Sequence, residues 1–369
     1  MMKPLVYDTT LEINLQHLTA NLNYFKSLLK PTTKIMAMVK AFSYGLGTYE
    51  VANVLEENKV DYLGVANIYE GIELRKAGIK LPIMVMKPEV ESFDLTIKYQ
   101  LTPTIFSLHA LNTLIKSINN KPISISLKID TGMHRLGFDV SEIEELIQLL
   151  KAHTNIKVES VFSHLAASDK PDHDDFTKHQ INLFQKVSTT IEKELTYSIE
   201  KHILNSNGIV RFNDFQFDMV RLGIGLYGVS ADKNTQQQLK SVSTLKSKIS
   251  QIKHIKKGET IGYSRKGEAK TDLKIATIPV GYADGLSRKL GDGNWNMLLH
   301  DKKAPVIGNV CMDMVMLDVT NIDCIVGDEI YVFSEHNPIT EMAKITNTIS
   351  YELLTSYSPR VKRIFTFKP

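Results

Sequence analysis

Four cationic side chains stand in or beside short apolar runs of this chain, and together they suggest chemistry on an anion. Lys40 directly follows one run, Lys128 lies inside a later run, and Arg135 comes shortly after it. Arg221 ends another run. A desolvated lysine amine can act as a Schiff-base nucleophile. An inward lysine near an arginine requires a compensating anion, which indicates a carboxylate substrate or a modified lysine. Taken alone, Lys40 is better explained as an ordinary solvated lysine.

The first two thirds of the chain alternates short β-rich runs with stretches of helical periodicity. Segments such as SLHALNTLIKSI and SEIEELIQLLKA repeat apolar residues every three or four positions, and Ser107 and Ser141 are their predicted N-caps. Eight strands that alternate with helices favour a closed (β/α)8 barrel of the TIM type. A doubly wound open sheet is the alternative, but no GxGxxG follows the first run. The predicted strands are residues 34–39, 62–65, 81–86, 102–105, 124–129, 156–163, 202–204 and 218–221.

The active site of such a barrel forms at the C-terminal ends of its strands. His164 ends the sixth run, and Ser206 closely follows the seventh. Arg221 ends the eighth run and precedes Gly223 and Gly225. The loops after strands seven and eight form the usual phosphate site of this fold, where backbone N–H groups at a short helix start bind the anion. A lysine nucleophile that faces such a site suggests pyridoxal phosphate.

The last third of the chain has a different pattern. From about Thr244, alternating runs without long helices are separated by KKGE, GDGN and GDE turns, and one helix-like stretch, ITEMAKITNTISYELL, interrupts them. The sequence therefore predicts an α/β barrel over residues 1–240 and a mainly β C-terminal domain over residues 241–369. The opening segment LEINLQ precedes the first unit of the barrel, so residues 1–15 are the candidate for an additional strand of the β domain.

Length and composition exclude several classes of protein. The 369 residues fit a barrel of about 250 residues with a smaller domain. A hydrophobic content of 43% and a charged content of 23% exclude a disordered or coiled-coil chain. The net charge of +3 is spread along the chain, so we expect no nucleic-acid partner. No apolar run approaches about 18 residues and no secretory leader is evident, which predicts a cytoplasmic protein with no membrane partner.

Neither the cysteines nor a His- and Asp-rich segment predicts a metal site. Cys311 and Cys324 lack CxxC spacing and lie in apolar runs, where free cysteine behaves as a small hydrophobe. The segment SDKPDHDDFTKHQ is typical of an acidic helix start followed by a solvated face. We therefore predict that the protein uses no metal.

Six motifs, in order, resemble those of the alanine racemases and extend over essentially the whole chain. They are MVKAFSYG, LKIDTGMHRLG, VRLGIGLYG, IGYSRKG, PVGYADG and NVCMDMVMLD. The resemblance implies a pyridoxal-phosphate-dependent isomerase that interconverts L-alanine and D-alanine by a two-base mechanism on the cofactor aldimine and supplies D-alanine for peptidoglycan. It also implies a head-to-tail homodimer, in which the β domain of one subunit contributes to the active site of the other.

The resemblance assigns the two catalytic bases and the substrate contacts. Lys40 and Tyr263 match the bases on opposite faces of the α-carbon, with Tyr263 supplied by the partner subunit. Racemisation requires this arrangement because one group removes a proton while another donates one from the other side. Arg135 and the Met312 backbone match the groups that bind the substrate carboxylate. Lys128 matches a lysine that is often carbamylated in the family, and a carbamate would supply the anion that Arg135 requires.

The resemblance also assigns the cofactor contacts. Arg221 matches the residue at the pyridine nitrogen, and because arginine keeps its proton at neutral pH it cannot protonate that nitrogen. Return of the proton is then favoured over transamination or decarboxylation. Tyr282 and Tyr351 match a pair that narrows the entrance, which favours a small substrate. The full set of implied cofactor contacts is Lys40, Tyr44, His164, Ser206, Arg221, Gly223, Ile224 and Tyr351.

Three alternatives remain open from the sequence. A broader amino-acid racemase of the same family is the first. A barrel-type decarboxylase is the second, and Arg221 disfavours it because those enzymes place a carboxylate at the pyridine nitrogen. A non-catalytic pyridoxal-phosphate carrier is the third, although it has no use for the β domain. The chain departs from the usual family pattern, in positions that bear on loop packing and rate, at Phe42, Ser43, Leu46 and His134.

Overall fold

The computed structural model describes residues 7–367, which form two compact units. The barrel domain contains residues 19–43 and 48–240. The β domain contains residues 44–47 and, within the described range, residues 7–18 and 241–367. None of the helices in the described part of the chain is long and apolar enough to cross a membrane.

The first strand, β1 (Thr10–Asn14), belongs to the β domain, and the next eight strands form the barrel. The barrel strands are β2 (Lys34–Met38), β3 (Tyr62–Val65), β4 (Ile83–Val85), β5 (Thr102–Ile105), β6 (Ile123–Lys128), β7 (Ile156–Phe162), β8 (Glu200–His202) and β9 (Met219–Leu222). The helices up to residue 240 are α1 (Leu15–Ser27), α2 (Lys40–Gly45), α3 (Tyr49–Glu57), α4 (Ile68–Lys76), α5 (Phe93–Lys98), α6 (Leu108–Ile118), α7 (Ile143–Ala152), α8 (Asp174–Leu195), α9 (Ser206–Arg211) and α10 (Lys233–Gln238).

The barrel strands pair in parallel in the order β8-β7-β6-β5-β4-β3-β2-β9. At the seam between β8 and β9, the Asp218 amide donates to the Lys201 carbonyl at 3.1 Å and the Arg221 amide donates to the Leu204 carbonyl at 2.9 Å. Every position of β3, β4 and β9 is buried, as expected for parallel strands that are covered on both faces. The predicted (β/α)8 barrel is confirmed, and the open-sheet alternative is wrong.

Side chains that cap the helices set where two of them begin. The Ser107 hydroxyl accepts from the Ala110 amide at 3.1 Å and caps α6, as the sequence predicts. The predicted cap at Ser141 is wrong, because Asp139 forms a capping box with Glu142 and α7 begins only after that turn. The Ser141 amide donates to the Asp139 side chain, so Asp139 and not Ser141 provides the cap.

The β domain is a nine-stranded sheet with one short separate hairpin and two helices. The sheet order is β11-β14-β17-β16-β15-β18-β10-β1-β19, in which β1 runs antiparallel to β10 and parallel to β19. The remaining elements are β10 (Ser243–Lys248), β11 (Gln251–Ile255), β12 (Thr260–Ile261), β13 (Gly267–Glu268), β14 (Leu273–Ile278), β15 (Asn296–Leu299), β16 (Lys302–Ile307), β17 (Val315–Asp318), β18 (Glu329–Phe333), β19 (Lys362–Thr366), α11 (Ile339–Thr346) and α12 (Ser350–Ser356).

The helix-like stretch near the C-terminus differs from its prediction. The sequence predicts one continuous segment, but Asn347 adopts a left-handed conformation with φ of +54° and ends α11. Asparagine tolerates this conformation better than most residues, so it makes a suitable helix stop. The second helix, α12, therefore starts at its own position and carries Tyr351 in its first turn.

Gly45 generates a prediction about stability within the β domain. Its φ is +85°, and a Cβ there would lie 2.2 Å from the Leu354 carbonyl oxygen. Gly258 has a φ of +87°, but a Cβ there would meet nothing within 4 Å. We expect Gly258→Ala to cost about 1 kcal/mol from backbone strain alone. Gly45→Ala should cost at least about 2 kcal/mol more, because the backbone must move. Equal losses in denaturant unfolding would contradict the predicted clash.

Candidate active site

Lys40 is held at the end of β2 by a strained segment of the chain. The next four residues, 41–44, all have positive φ values between +49° and +57°, although none is glycine. Left-handed geometry costs such residues about 1–2 kcal/mol each. Strain of this kind persists only where surrounding contacts impose it, and it is concentrated at functional sites. The Ser43 amide donates to the Val39 carbonyl at 2.9 Å, which ties the segment back to the strand end.

Glu70 supplies the second tie to this segment. One carboxylate oxygen accepts from the Ala41 amide at 2.8 Å, and the other accepts from the Ala66 amide at 2.7 Å. The Asn67 side chain accepts from the Glu70 amide and caps α4, so Glu70 is fixed at a helix start. Glu70 therefore joins the end of β3 to the residue after Lys40. Sequence reasoning missed this residue, although an Asn-x-x-Glu spacing is typical of a helix N-terminus.

The predicted cationic residues of the barrel act on one another electrostatically. Burial lowers the pKa of Lys40, and the positive charges of Arg135 and Arg221 lower it further. Burial followed by the same two arginines lowers the pKa of Lys128 to about 8. The Lys128 amine also lies 5.9 Å from the centre of the Phe162 ring. The two arginines thus lower the pKa values of both lysines, and such a surplus of positive charge is a ready site for an anionic ligand.

Arg221 is almost fully buried, with 4% of its surface exposed. Its Nη1 donates to His202 Nδ1 at 2.6 Å, and its Nη2 donates to the Ile203 carbonyl at 3.0 Å and lies 3.4 Å from His164 Nδ1. Burial lowers the pKa of Arg221 to about 9. Because this pKa is still above 7, the guanidinium stays protonated at neutral pH. Burial and the Arg221 charge hold the pKa values of both histidines well below the usual range, so both rings are neutral acceptors.

His202 is a second residue that sequence reasoning did not assign to the site. It ends β8, stacks on Phe162 with ring centres 5.0 Å apart, and its Nε2 lies 3.3 Å from the Ser160 hydroxyl. These contacts orient the ring so that Nδ1 faces Arg221. The sequence signal was present, because His202 begins the seventh predicted strand, but nothing in it indicated the arginine partner.

The predicted phosphate residues after β8 and β9 come together. The Ser206 hydroxyl accepts from the Gly223 amide at 2.9 Å and from the Gly225 amide at 3.3 Å. Ile224 lies between those glycines and is buried. Gly225 has no room for a side chain, because a Cβ would lie 2.4 Å from the Phe25 ring. The loop therefore presents its backbone N–H groups around one hydroxyl oxygen.

The β domain holds the other predicted residues in two places. Tyr44 and Tyr351 contact each other with ring centres 5.9 Å apart, and burial followed by the nearby Tyr351 raises the pKa of Tyr44, so its hydroxyl stays protonated. Tyr263 and Met312 line an exposed groove, with 71% and 53% of their surfaces accessible. Tyr282 is also exposed. Exposed apolar groups gathered in this way are typical of an interaction surface.

Together, these features define a (β/α)8 barrel enzyme whose strand ends carry several cationic side chains. Models of the alanine racemase N-terminal and C-terminal domains match residues 13–231 and 242–365. The chain belongs to the alanine racemase family. It is 38% identical to alanine racemase 2 of Caldanaerobacter subterraneus subsp. tengcongensis, over 98% of this chain and 96% of that protein.

Solved structures give the same result. The alanine racemase of Clostridium difficile 630 is 36% identical, with a TM-score of 0.91 over 98% of this chain and 96% of its own. An alanine racemase from Bartonella henselae, described with covalently bound pyridoxal phosphate, is 28% identical. Its TM-score is 0.89, over 98% of this chain and 100% of its own.

The contact between Glu70 and Ala41 predicts an effect on Lys40. Glu70→Gln removes a negative charge that raises the pKa of Lys40, so that pKa should fall further. The substitution should also cost about 1 kcal/mol of stability. The glutamine side chain has a single acceptor oxygen, whereas the Ala41 and Ala66 amides each donate to a separate Glu70 oxygen. The measurement is the pH dependence of Lys40 modification by an amine-reactive reagent in cofactor-free protein. The exposed Glu50→Gln is the control. Identical pH profiles for all three proteins would contradict this role.

Proposed function

We propose that this protein is an alanine racemase that interconverts L-alanine and D-alanine with pyridoxal 5'-phosphate. The observation that carries the proposal is the Lys40 amine, whose pKa burial lowers, in a barrel whose buried arginine faces neutral histidines. Family membership supports the proposal, since the curated relative with 38% identity is named an alanine racemase. The related Bartonella henselae structure with its covalently bound cofactor supports the choice of cofactor.

The residues of this chain fit the cofactor. The Gly223 and Gly225 amides, which donate to the Ser206 hydroxyl here, would turn to an anionic phosphate when one binds, and the surplus of positive charge in the barrel suits the same anion. We assign the phosphate to Ser206, to the Gly223 and Ile224 backbone, and to the hydroxyls of Tyr44 and Tyr351. Lys40 would bind the cofactor carbonyl, with His164 against the ring and Arg221 at the pyridine nitrogen. When bound, the cofactor supplies an electron sink for the substrate α-carbon.

Arg221 accounts for racemisation rather than another reaction. Its guanidinium donates to neutral acceptors and keeps its proton at neutral pH, so it does not protonate a ring nitrogen. The electron sink is therefore weaker than one with a carboxylate at that position. A weaker sink favours return of the proton to the α-carbon, and this disfavours the decarboxylase alternative.

Two bases would then move the proton. Lys40 has a lowered pKa, so more of its amine is neutral near pH 7 than in an ordinary lysine, as a base requires. We assign Tyr263 to the opposite face. Its high exposure within an apolar groove supports a head-to-tail homodimer in which it serves the partner subunit's barrel. Such a dimer would cover that groove.

The substrate contacts follow from the same assignment. Arg135 and the Met312 backbone would bind the substrate carboxylate, and a carbamate on Lys128 would supply the anion that Arg135 requires. Tyr282 and Tyr351 would narrow the entrance to suit a small side chain. We propose that the D-alanine is made in the cytoplasm for peptidoglycan synthesis.

Incubation with L-alanine in heavy water tests the proposed function. D-alanine should appear with deuterium at the α-carbon, because the proton passes through groups that exchange with solvent. Lys40→Ala should reduce this rate at least about a thousandfold. Absence of both D-alanine and exchange in protein that carries the cofactor would contradict the proposal. Comparable rates with serine, lysine or arginine would instead identify the broader racemase.

The pKa of Lys128 predicts that its carbamylation depends on pH. A pKa of about 8 leaves roughly a tenth of the amine neutral at pH 7, far more than for an ordinary lysine. A carbamate carbon should therefore appear by NMR with labelled bicarbonate and strengthen from pH 6.5 to 8.5. Lys128→Ala should abolish the signal, and Lys303→Ala, at an exposed lysine, should retain it. A spectrum that Lys128→Ala leaves unchanged would contradict the modification.

A further inference from the structure

Two loops of the β domain are bonded to each other through their backbones. The tyrosine turn (residues 281–285) carries Tyr282, and the methionine loop (residues 309–314) carries Met312. The Tyr282 amide donates to the Cys311 carbonyl at 3.0 Å. The Ala283 amide donates to the Met312 carbonyl at 2.9 Å. The position of each loop is therefore set by the other.

The backbones of these two loops pack directly against each other. A Cβ on Gly281 would lie 2.2 Å from the Met312 carbonyl oxygen, so the two backbones touch at this point. The tyrosine turn is closed by Asp284, whose Oδ2 accepts from the Gly281 amide at 2.8 Å. Any movement of Asp284 would therefore pass directly to the Met312 carbonyl.

Arg360 holds both loops at once. Its Nε lies 2.8 Å from Asp284 Oδ1, and its Nη2 donates to Asp313 Oδ1 at 2.8 Å. Asp284 is 4% exposed, so its carboxylate needs a cation to compensate for lost hydration. The Ser358 amide, two residues before the arginine, donates to the Asp284 carbonyl at 3.1 Å and fixes the chain that carries Arg360.

The methionine loop also reaches a third residue of the proposed site. The Asn309 side chain donates to the Tyr263 carbonyl at 3.0 Å. Residues near both ends of this loop are therefore held, because Arg360 binds Asp313 and Asn309 binds the segment that carries Tyr263. Arg360 therefore helps to fix the positions of Tyr282 and Met312. It is also linked to Tyr263 through the methionine loop.

We propose that Arg360 is a positioning residue for alanine racemisation, which fixes the Met312 backbone and Tyr282 relative to each other through Asp313 and Asp284. The inference rests on the proposed function, because Met312 and Tyr282 are assigned there to the substrate carboxylate and the entrance. Arg360 is not one of the residues assigned to the substrate or the cofactor. A guanidinium suits this position because its planar fork bonds two carboxylates in fixed directions, whereas an ammonium is a single point charge.

Steady-state kinetics and amide hydrogen exchange of the dimeric holoenzyme test this role. Arg360→Gln should raise KM for L-alanine about tenfold and change kcat by less than about threefold, because the assigned bases remain in place. The exchange of the Tyr282 and Ala283 amides should accelerate, since their acceptors are no longer held. The visible absorbance of the cofactor should not change, because no assigned cofactor contact lies in either loop. Arg360→Lys should give intermediate values.

Asp313→Ala provides a second variant, which keeps the ion pair between Arg360 and the buried Asp284 and so protects the fold. It should raise KM about threefold, and combination with Arg360→Gln should add little, because both act through one contact. The exposed Lys303→Gln is the control and should match wild type. Unchanged KM in Arg360→Gln and Asp313→Ala, in an enzyme that racemises alanine, would overturn this inference alone. A wild-type protein that does not racemise alanine would overturn the proposed function, and the inference with it.

Discussion

The site depends on positive charge that gathers at the ends of the barrel strands. Arg135 and Arg221 lower the pKa values of Lys40 and Lys128, and burial lowers the pKa values of Lys40, Lys128 and Arg221. Cations held out of water are costly unless anions compensate for them. These cations therefore favour the binding of anionic groups in the barrel domain. A phosphate, a substrate carboxylate and a lysine carbamate all satisfy that preference, and the proposed chemistry uses all three.

Two of the cations, Arg221 and Lys40, are positioned in different ways. Arg221 is held by His202 and by backbone carbonyls, which keep it charged and aimed in one direction. Lys40 is placed by a strained left-handed segment that Glu70 ties to the neighbouring strand. One contact that maintains the strain is local, from the Ser43 amide to the Val39 carbonyl, and the other, from the Ala41 amide to Glu70, joins residues distant in sequence. A buried amine next to a backbone segment fixed by these contacts suits a group that must both bind a cofactor and move a proton.

The sequence could predict what depends on pattern and order. Alternating strands and helices specified the barrel, and the positions of Ser206 and Gly223 after neighbouring strands specified their meeting. Partnerships between distant residues could not be predicted, because they arise only when the barrel closes. His202 and Glu70 are such cases. The left-handed segment at 41–44 contradicts the local preference of every residue in it, so tertiary contacts alone explain it. Arg360 also lies far in sequence from both carboxylates that it binds.

We propose that Lys40 and Tyr263 act together from different subunits. Mixing Lys40→Ala protein with Tyr263→Phe protein, each inactive by itself, under conditions that exchange subunits tests this most directly. Half of the dimers should then be mixed, and each mixed dimer should contain one site with both bases. We therefore expect recovery of about a quarter of the wild-type racemase activity. A mixture that stays as inactive as its two parents would contradict it.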